Sequence, residues 1–447
     1  MLALALGLGG CATYAPRPLA THPDLAVRLP MAVDAGVMSL PALRRHVFDP
    51  SDGLDMTEVA MLAVVNNPDL EARRRKADVA RAQLFAARLL PDPQLSLSTD
   101  RPTDSGPGLT NAYGLGLNYD ITALVTRGAR IDSAAAGKIQ VDLDLLWQEW
   151  QVVQQTRLLY VQSMTQDREL QLLRQAQRLY ADRYARSSKA LRQGDMTLDV
   201  TGTDLTALLD AQTRLSQMER QMNQTRHDLN GLLGLAPDTA LPLAPMHAPA
   251  LPDAAREAGA LETIQQRRPD LLALQAGYRS REAGVRRAVL AQFPSLSVGL
   301  TRARDTAGLH TAGFGVTLNL PIFSANRGEI AIQRATRDQL WQEYQTRLDQ
   351  SYAQIDMLQK QLTLIGQRLQ EIEISLPDLE HMVRKAGHAY DARDIDALTY
   401  LNMQNTLVNK RIEAADLQQA QWDTRIALDT LLAWPGSENP SPAEDSK

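Results

Sequence analysis

A chain of 447 residues with 44% hydrophobic, 5% aromatic and 22% charged side chains sets 47 basic against 52 acidic groups, a net charge of −5. That balance leaves no cationic footprint for nucleic acid, and a single cysteine excludes an intramolecular disulfide framework or a cysteine-based zinc cluster. No stretch reaches the ~18–20 continuous apolar residues of a membrane-spanning helix, and few aromatics beside abundant Ala, Leu, Gln and Arg favour long helices over a compact β-rich enzyme.

The chain opens on an apolar run that ends at Cys11. The run is too short to span a membrane but suits the apolar core and small-residue end of a secretory signal. Leu8-Gly9-Gly10-Cys11 resembles a bacterial lipobox, whose cysteine becomes the acylated first residue of the mature protein. Residues 1–11 thus read as a lipoprotein signal remnant with Cys11 as the lipidation site; a buried or stray thiol is the bland alternative. Ala12 and Thr13 follow where an aspartate would resemble an inner-membrane retention signal, which fits sorting to the outer membrane. Acyl chains contribute about 0.8 kcal/mol per buried CH₂, so several would anchor the chain stably. Residues 12–56 are dotted with prolines (Pro16, Pro18, Pro23, Pro30, Pro41, Pro50) and are expected to form an extended arm, not a packed domain.

An internal duplication follows. Asn67-Pro68-Asp69-Leu70 matches Arg268-Pro269-Asp270-Leu271, Pro93-Gln94-Leu95-Ser96 matches Pro294-Ser295-Leu296-Ser297, and Tyr113-Gly114-Leu115 matches Phe314-Gly315-Val316, all at an offset of 201 residues. The repeats are placed at 57–262 and 263–434, each reading helix, strand pair, long helix, turn, helix; a polar tail, 435–447, is expected to be disordered. The strand pairs, at about 93–121 and 294–321, alternate with period two. Leu95, Leu97, Leu115, Leu117, Leu296, Val298, Phe314, Val316 and Leu318 share an apolar face, while Ser96, Gly114, Gly116, Asn118, Ser297, Gly299 and Asn319 make a small, polar one.

A soluble half-buried sheet would look like this. So would strands of about 9–11 residues crossing an outer membrane, with the apolar row facing lipid, the small face lining a lumen, and Tyr113, Tyr119 and Phe314 near strand ends. Four strands cannot close a transmembrane barrel, and lipid tolerates no open sheet edge, so membrane-spanning strands would require several chains to share one barrel.

The long helices carry heptads. Ile355, Leu358, Leu362, Ile365, Leu369, Ile372, Leu376, Leu379 and Val383 alternate spacings of three and four, a coiled-coil seam. Leu208, Leu215, Met222 and Leu229 form a seven-residue row in the first copy. Pro377 is expected to kink or break its helix.

The duplication, the strand pairs, and Asn319-Leu320-Pro321-Ile322-Phe323 followed by Asn326-Arg327-Gly328-Glu329-Ile330 together resemble the TolC-like outer-membrane factors, with the second stretch most like the heavy-metal (CzcC-like) branch. The resemblance covers roughly Leu54 to Trp434; the first copy departs from it, reading Asp120-Ile121-Thr122-Ala123 without the proline. It implies a mainly α fold with a small transmembrane β part: a homotrimer whose chains give four strands each to a 12-stranded β-barrel on an α-helical barrel. Such a duct is a passive outer-membrane channel of a tripartite efflux system, partnered by a periplasmic adaptor and an inner-membrane pump of RND type, without a cofactor.

The turns at about 193–200 and 391–399 resemble the family's periplasmic tip. Gly194 allows a positive φ, but Arg393 stands at the matching place, so the two turns are expected to differ. Asp195, Asp199, Arg393, Asp394 and Asp396 are the gate candidates. Threefold symmetry would turn each aspartate into a carboxylate ring, while helix capping explains the same residues, Asp199 and Asp396 above all. Arg393 could hold a neighbouring carboxylate in a closed state.

For an enzyme the sequence offers little. The seven histidines are scattered, His381 and His388 are too far apart for an i, i+4 metal pair, Met246-His247 lies in a Pro-rich connection, and no phosphate loop or nucleophile elbow occurs. The competing reading is a lipid-anchored periplasmic coiled-coil adaptor or scaffold with a soluble β domain and no pore.

Overall fold

The computed structural model describes residues 14–103, 106–246 and 254–433. The lipidation candidate Cys11, His247 and the tail from 434 onward lie outside the described residues. After a 3₁₀ turn at Ala35–Val37 come α1 (Pro41–Arg45), α2 (Met56–Asn66), α3 (Pro68–Arg88), β1 (Gln94–Asp100), β2 (Ala112–Asp120), α4 (Thr122–Gln193) and α5 (Leu198–Leu232). The second half runs α6 (Ala254–Glu262), α7 (Ile264–Arg267), α8 (Pro269–Leu290), β3 (Ser295–Arg304), β4 (His310–Asn319), α9 (Arg327–Asp391) and α10 (Ala397–Leu431).

Local chemistry sets the helix starts. The Asp55 side chain accepts from the Thr57 and Glu58 amides, and Glu58 reaches back to the Asp55 amide at 2.8 Å, a capping box that opens α2. Asn67 caps α3 ahead of Pro68, and its amide donates to the Leu232 carbonyl at the end of α5. Arg268, its counterpart, cannot cap α8. Its buried guanidinium instead bonds both oxygens of Asp270 at 2.8 and 2.6 Å and the Ser351 hydroxyl at 2.7 Å, and lies 5.1 Å over the Trp147 ring. That one side chain ties α8 to α9 and α4.

At 1.5 Å per residue, the 72 residues of α4 and the 65 of α9 reach about 110 and 100 Å. Their halves nearest the sheet pack with α3 and α8, and their far halves pair with α5 and α10. The α9 seam is closed: Ile355, Leu362, Ile365, Leu369, Ile372 and Val383 are buried. Leu208 and Leu229 are buried in α5, with Ala211 and Met218 between them.

Two expectations are narrowed here. The helix runs through Pro377 without a break. Pro377 is exposed on the side away from the seam, where water can serve the carbonyl it leaves unpaired, and the Ser375 hydroxyl donates to the Ile372 carbonyl one turn earlier. The N-terminal arm is extended only in part. Met38 and Leu43 are buried against Ala60, Met61 and Trp150, and Leu54 against Leu62, Tyr160 and Leu233. Parallel bridges Ala26–Leu235 and Leu54–Leu243 fix the arm to the connection after α5. Proline removes donors but does not stop the apolar residues between prolines from filling a groove.

The strand pairs merge into one antiparallel sheet of order β1-β2-β3-β4, because β2 and β3 also pair, from Tyr113–Arg304 to Asp120–Ser297. β1, with seven residues, is shorter than the expected 9–11. The sheet is bolted to the helices at one end only: Thr122, in the first turn of α4, accepts from the Leu296 amide at 2.6 Å. Its other end carries the β1–β2 and β3–β4 loops.

Candidate functional site

Antiparallel partners share a face, so the register sorts every strand residue. Leu97–Leu115, Leu95–Leu117–Leu300–Phe314, Val298–Val316 and Leu296–Leu318 form successive transverse rows on one side. The opposite side carries Gln94, Ser96, Ser98, Gly114, Gly116, Asn118, Gly299, Thr301, Thr317 and Asn319. A Cβ on Gly116 would collide with the Ser96 hydroxyl and one on Gly299 with the Asn118 amide, so the small face is close-packed along the sheet. The apolar rows are bare: Leu97 is 75% and Phe314 68% exposed, while Leu296 and Val298 are half-buried. Tyr113 and Tyr119 stand near the ends of β2, but Phe314 does not stand at a strand end. It is mid-strand beside Leu300, because β4 starts at His310, earlier than the sequence spacing suggested. β1 and β4 are edges, paired on one side only.

At the far end of the helices the two turns are alike, against expectation. Gly194 (φ 81°) and Arg393 (φ 64°) both adopt the left-handed conformation. In each turn the next amide reaches back five residues, Asp195 to the Ala190 carbonyl at 2.9 Å and Asp394 to the Ala389 carbonyl at 2.8 Å. That is the helix-ending motif that normally takes glycine at this place; closing the hairpin imposes it on arginine as well. Arg393→Gly should therefore stabilise the α9–α10 turn by about 1 kcal/mol, read as slower amide exchange at residues 389–394; unchanged exchange would contradict a strained Arg393.

The gate candidates separate by role. Asp396 caps α10, accepting from the Thr399 amide at 2.7 Å, and these bonds hold its carboxyl below the usual range. Asp199 is not at the cap position, which Thr197 occupies; the Thr197 hydroxyl bonds the Asp199 carboxylate and lowers it. Asp195, Asp394 and Arg393 are exposed, and within the chain Arg393 meets no carboxylate among the described residues.

Sequence reasoning missed a cluster just above these turns. Arg183 of α4 donates to Asp204 of α5 at 2.8 Å, and both are buried. The same guanidinium lies 5.1 Å from the Tyr390 ring of α9 and 5.6 Å from the Tyr400 ring of α10, which stack on each other at 5.3 Å. Four helices thus meet at one cation. Beside it, the Tyr180 hydroxyl of α4 bonds Asn405 of α10. A signal was available: Arg183 follows Ala176 and Tyr180 on the buried row of α4, and Asp204 precedes Leu208 and Ala211 on that of α5. A charge on a heptad seam needs a partner.

Midway along the helices, burial first and then the hydrogen bond and charge of Asp416 on α10 push the Glu169 carboxyl on α4 up to about 8. Between the ordinary value of 4.5 and about 8 the folded protein holds a proton that the unfolded chain lacks. Stability should therefore fall as pH rises through that window. Glu169→Gln should flatten the fall, raising the unfolding midpoint at pH 8.5 and leaving it unchanged at pH 4; equal midpoints at pH 8.5 would contradict the shared proton.

No groups of three or more metal-ligating His, Cys, Asp or Glu side chains occur among the described residues. A half-open cleft of about 560 Å³ between α4, α5 and the following connection is lined by charges that include the Arg174–Glu219 pair, and by no histidine or cysteine. Among the described residues no helix is long and apolar enough to cross a membrane.

The comparisons with known proteins agree with this layout. The chain is 24% identical to the cobalt-zinc-cadmium resistance protein CzcC of Cupriavidus metallidurans, over 89% of this chain and 94% of that one. It is 25% identical to the pyoverdine export outer membrane protein OpmQ of Pseudomonas putida, over 96% and 95%. A crystal structure of a membrane protein from Pseudomonas aeruginosa superposes with a TM-score of 0.73 at 21% identity, over 93% and 99% of the two chains, which shows the fold. The outer membrane efflux protein family matches twice, at residues 59–235 and 260–433, once on each repeat, and the chain belongs to that family.

Proposed function

We propose that this efflux protein is the passive outer-membrane duct of a tripartite export system, three chains joining their sheets into one 12-stranded barrel above a helical tunnel. The observation that carries the reading is the bare apolar face of a sheet with two free edges. Lipid would satisfy the face, but open edges are not tolerated there, and four strands are half of the smallest barrel. Pairing β4 of one chain with β1 of the next removes every edge, and the small polar face then lines the lumen. A soluble scaffold would have to cover a face on which Leu97 and Phe314 stay more than two-thirds exposed.

In this reading acylated Cys11 anchors the arm, the helices reach toward a periplasmic adaptor and an inner-membrane pump of RND type, and the tip closes the pore. Asp195 and Asp394, free of capping duty, would form the carboxylate rings; Asp396 caps its returning helix, Asp199 bonds the Thr197 hydroxyl at the start of the other, and Arg393 would face a carboxylate of a neighbouring chain. The Arg183 cluster clips the α4–α5 hairpin to α9–α10 just above. The cargo is a small solute selected upstream by the pump; a water-filled lumen needs few specific contacts.

Single-channel recording of the detergent-extracted protein in a planar bilayer tests the duct: discrete conductance steps are expected, and a membrane left silent by correctly folded protein would overturn it.

A further inference from the structure

Besides its apolar rows, the bare face of the sheet carries charge, and all of it is at one end. Arg302, level with Leu115 and Ala312, and Arg304, level with Tyr113 and His310, stand toward the loops, away from the helices. The Tyr113 hydroxyl and His310 Nδ1 are 3.3 Å apart, which links β2 to β4 across this row. The two acidic residues within the strands, Asp100 and Asp120, are on the opposite face, level with Ala112 and Ser297. Arg302 and His310 are exposed; Arg304 is half-buried, and its Nε is shielded without a hydrogen-bond partner among the described residues. Neither guanidinium has an ion-pair partner among the described residues, although both stand directly beyond the widest apolar row, Leu95–Leu117–Leu300–Phe314. At about 3.4 Å per residue, Arg302 is about 7 Å and Arg304 about 14 Å past that row.

We infer that Arg302, Arg304 and His310 form a headgroup clamp for a phosphorylated lipid of the outer leaflet, whose acyl chains lie along the leucine rows below. The inference rests on the channel reading, which turns this face toward lipid and the loop end outward. Unpaired arginines at the rim of an apolar band are costly unless they meet an anion or water. A lipid phosphate offers the geometry arginine binds best, two parallel N–H···O bonds. Three features select a lipid over a free anion or an acidic protein: the cations continue the apolar band without a gap, no carboxylate of the described strand residues shares their face, and the Tyr113–His310 pair sits where amphipathic rings mark a membrane interface.

The test uses the full-length protein in detergent, with native mass spectrometry against three probes: diphosphoryl lipid A, the same lipid stripped of phosphate, and inorganic phosphate. Conductance is recorded on each preparation. The wild-type protein should retain diphosphoryl lipid A in preference to the stripped lipid and should not retain inorganic phosphate. Arg302→Gln/Arg304→Gln should weaken lipid A binding about 25-fold, at roughly fivefold per interfacial charge, with conductance intact. Arg302→Lys/Arg304→Lys should bind more tightly than the glutamine variant and more weakly than wild type, since Lys keeps the charge but not the paired N–H donors. Equal binding by the glutamine variant, or no dependence on the lipid's phosphates, overturns the clamp while the channel stands. Loss of conductance in the wild-type protein overturns the channel, and the clamp with it.

Discussion

Asp204→Ala should destabilise the helical tip by about 3–5 kcal/mol, a large effect for one side chain far from the sheet. Arg183 cannot shed its proton, and without Asp204 its guanidinium remains in a seam where the two residues are 8% and 2% exposed. The Tyr390 and Tyr400 rings beneath it offer a cation–π contact worth about 1–2 kcal/mol at a desolvated site, which offsets part of the loss. Amide exchange of residues 180–190 and 200–208 should quicken accordingly, and if the tip closes the pore, resting conductance should rise. The double variant Arg183→Met/Asp204→Leu should recover most of the stability, because an apolar pair of similar volume suits the seam. It should not restore closure, since the contact with the tyrosines of the second hairpin is lost. A cost below about 1 kcal/mol for Asp204→Ala would mean that the pair is hydrated in the assembled protein.

Leu117→Arg should be as disruptive at the other end of the molecule. Leu117 is in the row with Leu95, Leu300 and Phe314, the widest of the apolar band. An arginine facing lipid costs up to about 2–4 kcal/mol, less toward the interface, and a threefold barrel would carry three copies. Heat-resistant oligomer in the outer-membrane fraction should fall sharply. Thr317→Lys, on the small face of β4, adds a charge of the same sign and should assemble normally while shifting the ion selectivity of the pore. Equal assembly of both variants would contradict an apolar face in lipid, because a soluble sheet with both faces wet treats them alike.

The features legible in the sequence were those that repeat or alternate locally. A 201-residue offset, a period of two in the strands and a 3-4 spacing in the helices need no tertiary information, and they delivered the element order, the face composition and the Ile355–Val383 seam. What escaped depends on contacts between distant segments. Nothing near Glu169 announces Asp416, and nothing near Arg183 announces Tyr390 or Tyr400. The left-handed Arg393 escaped for a different reason: hairpin closure between α9 and α10 fixes the backbone there, and residue preference lost to it. Met38 and Leu43 were overlooked because prolines dominate the arm's composition, while burial is decided by the groove beside α2 and α4. Pro377 does not end its helix, because on a solvated face water can serve the carbonyl it leaves unpaired.

The central claim is that one subunit's sheet is a third of a closed wall. Native mass measurement of the detergent-extracted protein tests it most directly. The account predicts a single species of three chains of 49.3 kDa each, that stays together at protein concentrations where a weak complex would dissociate. A folded monomer stable in detergent, with its sheet edges free, would contradict it.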